Sequence, residues 1–227
     1  MEEDSSSHEV RMKNFETIRE QGAWEGSAYL ELYRQLGLGE KGVVLFTGPS
    51  GGEGVSTVVA EFALFVSLRA GRRALVVDGH FDHPELSSAV SGSRGPGLRG
   101  LLSGSTADGD SVSATSVTNL SFLHSGTAHA TGAMPLMERD AVSAALARLR
   151  GSFDLVLIDG PPVSATSDAL VLGAASDLCV LVIEAERTRR EAARAAVDRL
   201  TQAGVRVSGA FLNKQRFHIP AAIYRRL

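Results

Sequence analysis

Five short apolar runs rich in β-branched residues, several of them separated by helical patterning, leave this chain few folds to choose from. The runs are GVVLFT at 42–47, RRALVVDG at 72–79, FDLVLIDG at 153–160, DLCVLVIEA at 177–185 and VRVSGAFLN at 205–213. Their length and continuity predict strands buried on both faces. Helical patterns fall between them: STVVAEFALFVSLRAG, closed by Gly71, then PLMERDAVSAALARLRG and RTRREAARAAVDRLTQAG. Strands alternating with helices imply an α/β fold, a mostly parallel central sheet with helices on both faces. A further short amphipathic helix is predicted for SAYLELYRQL at 27–36, where Tyr29, Leu30, Tyr33 and Leu36 recur at helical spacing.

The remaining stretches are read more simply. Residues 1–25 are polar, charged and Ser-rich, which predicts a flexible tail with helix at most in its second half, ahead of a single domain over 26–227. The stretch 91–135 is rich in Gly, Ser and Thr and is read as mostly loop, with a short helix at GLRGLLSG. A chain of 227 residues with 44% hydrophobic residues can bury a full core. Its net charge of -3 argues against a nucleic-acid partner. No stretch approaches the roughly 20 apolar residues of a membrane span, and the start MEEDSSSHEV lacks the basic and apolar regions of a signal. One cysteine, Cys179, rules out an internal disulfide. Together these features predict a cytoplasmic protein, brought to a membrane through a partner if at all.

In open parallel sheets ligands bind beyond the carboxyl ends of the strands. After the first run comes GPSGGEGVST at 48–57. There Gly51, Gly52 and Gly54 let the backbone curl so that its amides face an anion, while Ser56 and Thr57 open a helix whose N-terminus favours negative charge. After the second run comes Asp78, and after the third comes Asp159 in LIDGPP. A loop hydroxyl with a strand-end acid is the pairing that holds Mg2+ beside a nucleotide, which makes Ser56 and Asp159 the candidate metal-facing residues.

The segments FTGPSGGEGVSTVVAEFA, AGRRALVVDGHFDHPELS, GPGLRGLLSG, FDLVLIDGPPV, SDALVLGAASDLCVLVIEAE and VSGAFLN, in that order, resemble the bacterial tyrosine autokinases, or BY-kinases. These are cytoplasmic P-loop proteins related to the MinD and ParA ATPases, and the resemblance covers residues 27–224. It implies ATP or ADP with Mg2+ as cofactor, bound through Gly51, Gly52, Glu53, Gly54, the Val55 position, Ser56 and Thr57, with Asn213 on the base side. As partner it implies the cytoplasmic segment of a transmembrane chain-length regulator, or another export protein, in capsule or exopolysaccharide production. It also implies an oligomer, of identical subunits or with a second BY-kinase-like subunit.

The departures from that resemblance fall on the chemistry. The family loop reads like S-x-x-P-G-E-G-K-S-T, and Val55 takes the lysine position. The second motif reads like D-x-D-x-R-x-P; Asp78 matches, but His80 stands for the second acid and Asp82 for the arginine. Asp159, Pro161 and Pro162 match the third. Asp78, His80 and Asp159 are therefore vestigial catalytic candidates, and His80 reads more readily as a loop histidine than as a base. Of the three lysines, Lys41 should lie with Arg72 and Arg73 at the edge opposite the phosphates, whereas Lys214 follows the last run beside Asn213. The sequence ends RFHIPAAIYRRL with Tyr224 alone, against the family's tyrosine cluster, so self-phosphorylation on a cluster is not expected. Of the family's subunit-contact motif E-x-x-R-x-x-R, Glu31 and Arg34 remain and Gly37 replaces the last arginine. Two readings stand: a non-catalytic pseudokinase that regulates or scaffolds polysaccharide assembly, which is favoured, and a residual ATP-dependent tyrosine kinase or ATPase with weak nucleotide binding.

Overall fold

The computed structural model describes residues 15–22, 26–90, 95–105, 111–126 and 137–215. Seven strands form one sheet: β1 (Gly42–Thr47), β2 (Ala74–Asp78), β3 (Val112–Ala114), β4 (Leu120–Leu123), β5 (Leu155–Asp159), β6 (Leu178–Glu184) and β7 (Val207–Asn213). Their order is β3-β4-β2-β5-β1-β6-β7, and every pairing is parallel except β3 with β4. All five predicted runs are strands of this sheet. The stretch read as mostly loop is corrected: it contributes β3 and β4. Both are short and interrupted by serine, and β4 is fixed by its register beside β2, Ala74 opposite Leu120, which a local pattern does not carry.

Eight helices flank the strands among the described residues: α1 (Phe15–Gln21), α2 (Ser27–Leu36), α3 (Val55–Leu64), α4 (Glu85–Ala89), α5 (Gly97–Leu102), α6 (Arg139–Ser152), α7 (Asp168–Ala174) and α8 (Arg190–Gln202). After α3 the chain continues as a π-helical segment, Phe65–Arg69, where the Ala70 N–H donates to the Phe65 carbonyl at 3.1 Å. The alternation of side chains along each strand divides the core in two. Val44, Phe46, Val76, Leu157 and Val180 face α1, α2 and α3; Val43, Leu45, Val77, Ile158 and Leu181 face α5 to α8. Cys179 belongs to the second layer, and burial pushes its thiol up to about 12. No helix among the described residues is long and apolar enough to cross a membrane.

Two features of the first layer bear on the site. Tyr29 of α2 stacks on Phe211 with centroids 5.4 Å apart and donates its hydroxyl to Glu61 of α3, so α2 is tied to the helix that begins the glycine-rich loop's far side. The helix in the second half of the N-terminal segment is α1, whose Phe15 and Ile18 are buried in the core, Phe15 edge-on to Phe122 at 5.9 Å. Removing a buried phenyl group loses its transfer free energy and leaves a cavity. Phe15→Ala is therefore expected to lower unfolding free energy by about 3 kcal/mol in urea titration. A change within ±0.5 kcal/mol, the usual size for an exposed position, would place α1 outside the cooperative unit.

Candidate functional site

The site lies where β1, β2 and β5 end together. β1 is buried throughout and leads into the glycine-rich loop, in which Gly51, Gly52 and Gly54 have φ of 100°, 84° and 84°. Gly54 has a second constraint besides its left-handed φ: a Cβ there would meet the Asn213 Nδ2 at 2.6 Å. Helix α3 then starts at Val55 with Gly54 as N-cap and no side-chain capping bond, as an anion-accepting helix N-terminus requires. Glu53 is buried and folds back on the loop, accepting from the Ser50 N–H at 3.0 Å and the Gly51 N–H at 2.8 Å. Its role is to brace the turn.

The loop after β5 is stitched to the glycine-rich loop. The Thr47 hydroxyl donates to the Pro161 carbonyl at 2.6 Å, the Gly160 N–H to the Phe46 carbonyl at 2.9 Å, and the Val163 N–H to the Gly48 carbonyl at 2.9 Å. This places Asp159 under the loop beside Ser56, whose hydroxyl works to lower its pKa. Asp159 is also in register with Asp78 on the neighbouring strand β2. Asp78 is held by the His80 N–H at 3.1 Å and the Ser87 N–H at 2.8 Å. Burial, first, raises the pKa of both carboxyls; for Asp159 the charge of Asp78 adds to it, and Glu85 pushes both the same way.

His80 is half-buried, and its ring sits edge-on to His83 at 5.6 Å. Burial and the neighbouring His83 lower its pKa, which favours the neutral ring. Asp82, at the family's arginine position, is exposed. A cation does reach this loop from elsewhere: buried Arg99 of α5 lies 4.3 Å over the Phe81 ring and donates to the Phe81 carbonyl at 3.2 Å. Nothing in the sequence pattern signalled Arg99, since it approaches from a different element.

The structure brings together Gly51 to Thr57, Asp78, Asp159 and Asn213. Val55 packs against the apolar layer beneath α3, and its Cγ2 lies 3.3 Å from where a Cβ on Gly48 would be. Lys41 donates to the Gly151 carbonyl at 2.8 Å, while Arg72 and Arg73 engage Gly39, Glu40 and Asp154, all at the opposite edge of the sheet as expected. Asn213 and Lys214 are a different matter. Asn213, which the resemblance puts on the base side, and Lys214 beside it both contact the loop: Asn213 Nδ2 donates to the Glu53 carbonyl at 2.9 Å and Lys214 Nζ to the Gly52 carbonyl at 2.7 Å. Tyr224 lies outside the described residues.

A parallel sheet with a glycine-rich loop after its central strand, a hydroxyl at the start of the following helix and an acid at the end of the adjacent strand defines the P-loop NTPase class. The fold is shared with the septum-site protein MinD of Pyrococcus horikoshii, solved with Mg-ADP, at a TM-score of 0.64 and 23% identity over 82% of this chain and 76% of that one. The kinase domain of VpsO matches at a TM-score of 0.70 and 30% identity, covering 88% of this chain and 98% of that domain. Among curated proteins, the tyrosine-protein kinase CapB of Staphylococcus aureus is 32% identical over 173 residues, 75% of this chain and 74% of CapB. The tyrosine-protein kinase EpsB of Ralstonia solanacearum is 32% identical over 176 residues, of which it is the longer partner: the chain spans 22% of EpsB. No family model matches the chain. On the similarity to CapB, the chain belongs to the bacterial tyrosine-protein kinases.

The buried acid pair has a cost that can be measured. A carboxyl whose pKa is raised on folding leaves stability fullest below the unfolded aspartate value of about 3.9, and stability falls as pH rises through the folded pKa. Asp159→Asn removes one charge of the pair, so in metal-free buffer at pH 7 it is expected to raise Tm by roughly 3 °C or more. The gain should shrink toward pH 4. A variant less stable than the natural protein at pH 7 would show that the Ser56 contact outweighs the repulsion.

Proposed function

We propose that this chain is a pseudokinase of the bacterial tyrosine-kinase family, a regulatory or scaffold component of capsule or exopolysaccharide assembly. Val55 carries the reading. A loop lysine neutralises charge on the terminal phosphates as the transferred group leaves, and losing such a stabiliser costs on the order of a hundredfold in rate. Here that position holds an apolar side chain packed on the core, and the nearby acids Asp78, Glu85 and Asp159 make the surroundings unfavourable to a polyanion. In the protein's cellular setting, the pseudokinase would sit in the cytoplasm and bind the cytoplasmic segment of a transmembrane chain-length regulator or another export protein. It would assemble with copies of itself or with a catalytic subunit of the same family.

Part of the cofactor site fits. The residues that would hold ATP or ADP with Mg2+ are the amides of Gly52 to Thr57, the Ser56 hydroxyl and Asp159, and the Ser56–Asp159 contact favours a second reading as a residual ATP-dependent tyrosine kinase or ATPase. Bound nucleotide would supply the phosphoryl group; the chain's own residues would orient it through loop amides and hold the metal from one side.

Calorimetric titration with Mg-ADP and Mg-ATP separates the two, with Val55→Lys as the internal control. The expected result is no measurable binding by the natural protein and binding by the variant. Micromolar binding by the natural protein together with ATP turnover would overturn the pseudokinase reading in favour of the enzyme.

A further inference from the structure

A lysine does stand at this loop, though not inside it. The backbone of Lys214 has φ of 55°, a left-handed turn that is uncommon for a side-chain-bearing residue, and its N–H donates to the Asn213 Oδ1 at 2.8 Å. That turn carries the side chain back over the outer face of the glycine-rich loop. There Nζ donates to the Gly52 carbonyl at 2.7 Å and pairs with Glu184 Oε2 at 3.1 Å, while Asn213 takes the next carbonyl, that of Glu53. Glu184 is itself fixed, its N–H donating to the Thr188 hydroxyl at 2.9 Å.

In a planar trans peptide the carbonyl oxygen of one residue and the N–H of the next point in opposite directions. Holding the Gly52 and Glu53 carbonyls outward therefore turns the N–H groups of Glu53 and Gly54 toward the concave side of the loop. A cation on the carbonyl also polarises the peptide unit and strengthens its N–H as a donor. Glu53, gripping the Ser50 and Gly51 amides from within, fixes the preceding turn.

Building on the reading of this loop as a phosphate site, we propose that Lys214 is a positioning residue: its ammonium, from outside the loop, presets the Glu53 and Gly54 amides to receive a phosphate. It acts through the backbone and does not take the missing lysine's place on the anion. Its effect should accordingly follow the phosphate and not the base.

The test compares Lys214→Met and Lys214→Arg in the Val55→Lys background, titrated with Mg-ADP, Mg-pyrophosphate and adenosine. Lys214→Met is expected to weaken both phosphate ligands about tenfold and leave adenosine unchanged, with Lys214→Arg restoring most of the loss. Unchanged phosphate affinity, or an equal loss for adenosine, overturns the proposal. Should Val55→Lys itself bind no phosphate ligand, the reading of the loop as a phosphate site has failed. The presetting is then decided in the natural background by amide hydrogen exchange. Faster exchange at Glu53 and Gly54 in Lys214→Met, restored in Lys214→Arg, supports it; unchanged exchange overturns it.

Discussion

The hydrogen bonding of β1 to a parallel strand on each side is the constraint from which the site follows. β5 and β6 flank it, its six residues are buried, and its end is fixed before the glycine-rich loop begins. Because β5 is the partner on one side, Asp159 arrives opposite Phe46 at the end of β1, and the bonds between the two following loops hold it there. Because β2 pairs with β5 in register, Asp78 arrives beside Asp159. Loop, hydroxyl and acids are thus set by sheet register, with little left to the loops themselves.

That architecture would let a chain without a lysine in the glycine-rich loop keep its fold. The lysine position is the first residue of α3, where an apolar side chain gains contacts with the layer beneath it. The acids remain close together, and without a metal or a lysine to offset them they oppose burial. A family member released from catalysis could therefore keep the loop's backbone geometry while its side-chain electrostatics drift. At the second motif the loop carries the exposed acid Asp82, and the cation against the loop, Arg99, comes from α5.

Most of the central sheet was legible because β1, β2, β5 and β6 are continuous apolar runs, and burial on both faces requires that composition. β3 and β4 were not, because their strand character comes from pairing beside β2 and their serines resemble loop. The loop, Ser56, Asp78 and Asp159 were readable from order and spacing. The positions of Arg99 and Lys214 were not: each reaches the site from an element distant in sequence, and the direction of a long side chain depends on the turn that carries it. For Lys214 that turn is a left-handed residue, which no periodicity announces.

Cys179 sits in the middle of β6, fully buried in the second core layer, with its thiol held protonated at neutral pH. The thiolate is the reactive form toward alkylating reagents and disulfides. The sequence carries no other cysteine, so toward thiol reagents the folded chain behaves as a cysteine-free background. A single cysteine introduced on the outer face of α2 or at the loop's rim would take a fluorophore or spin label selectively, without first removing the native residue.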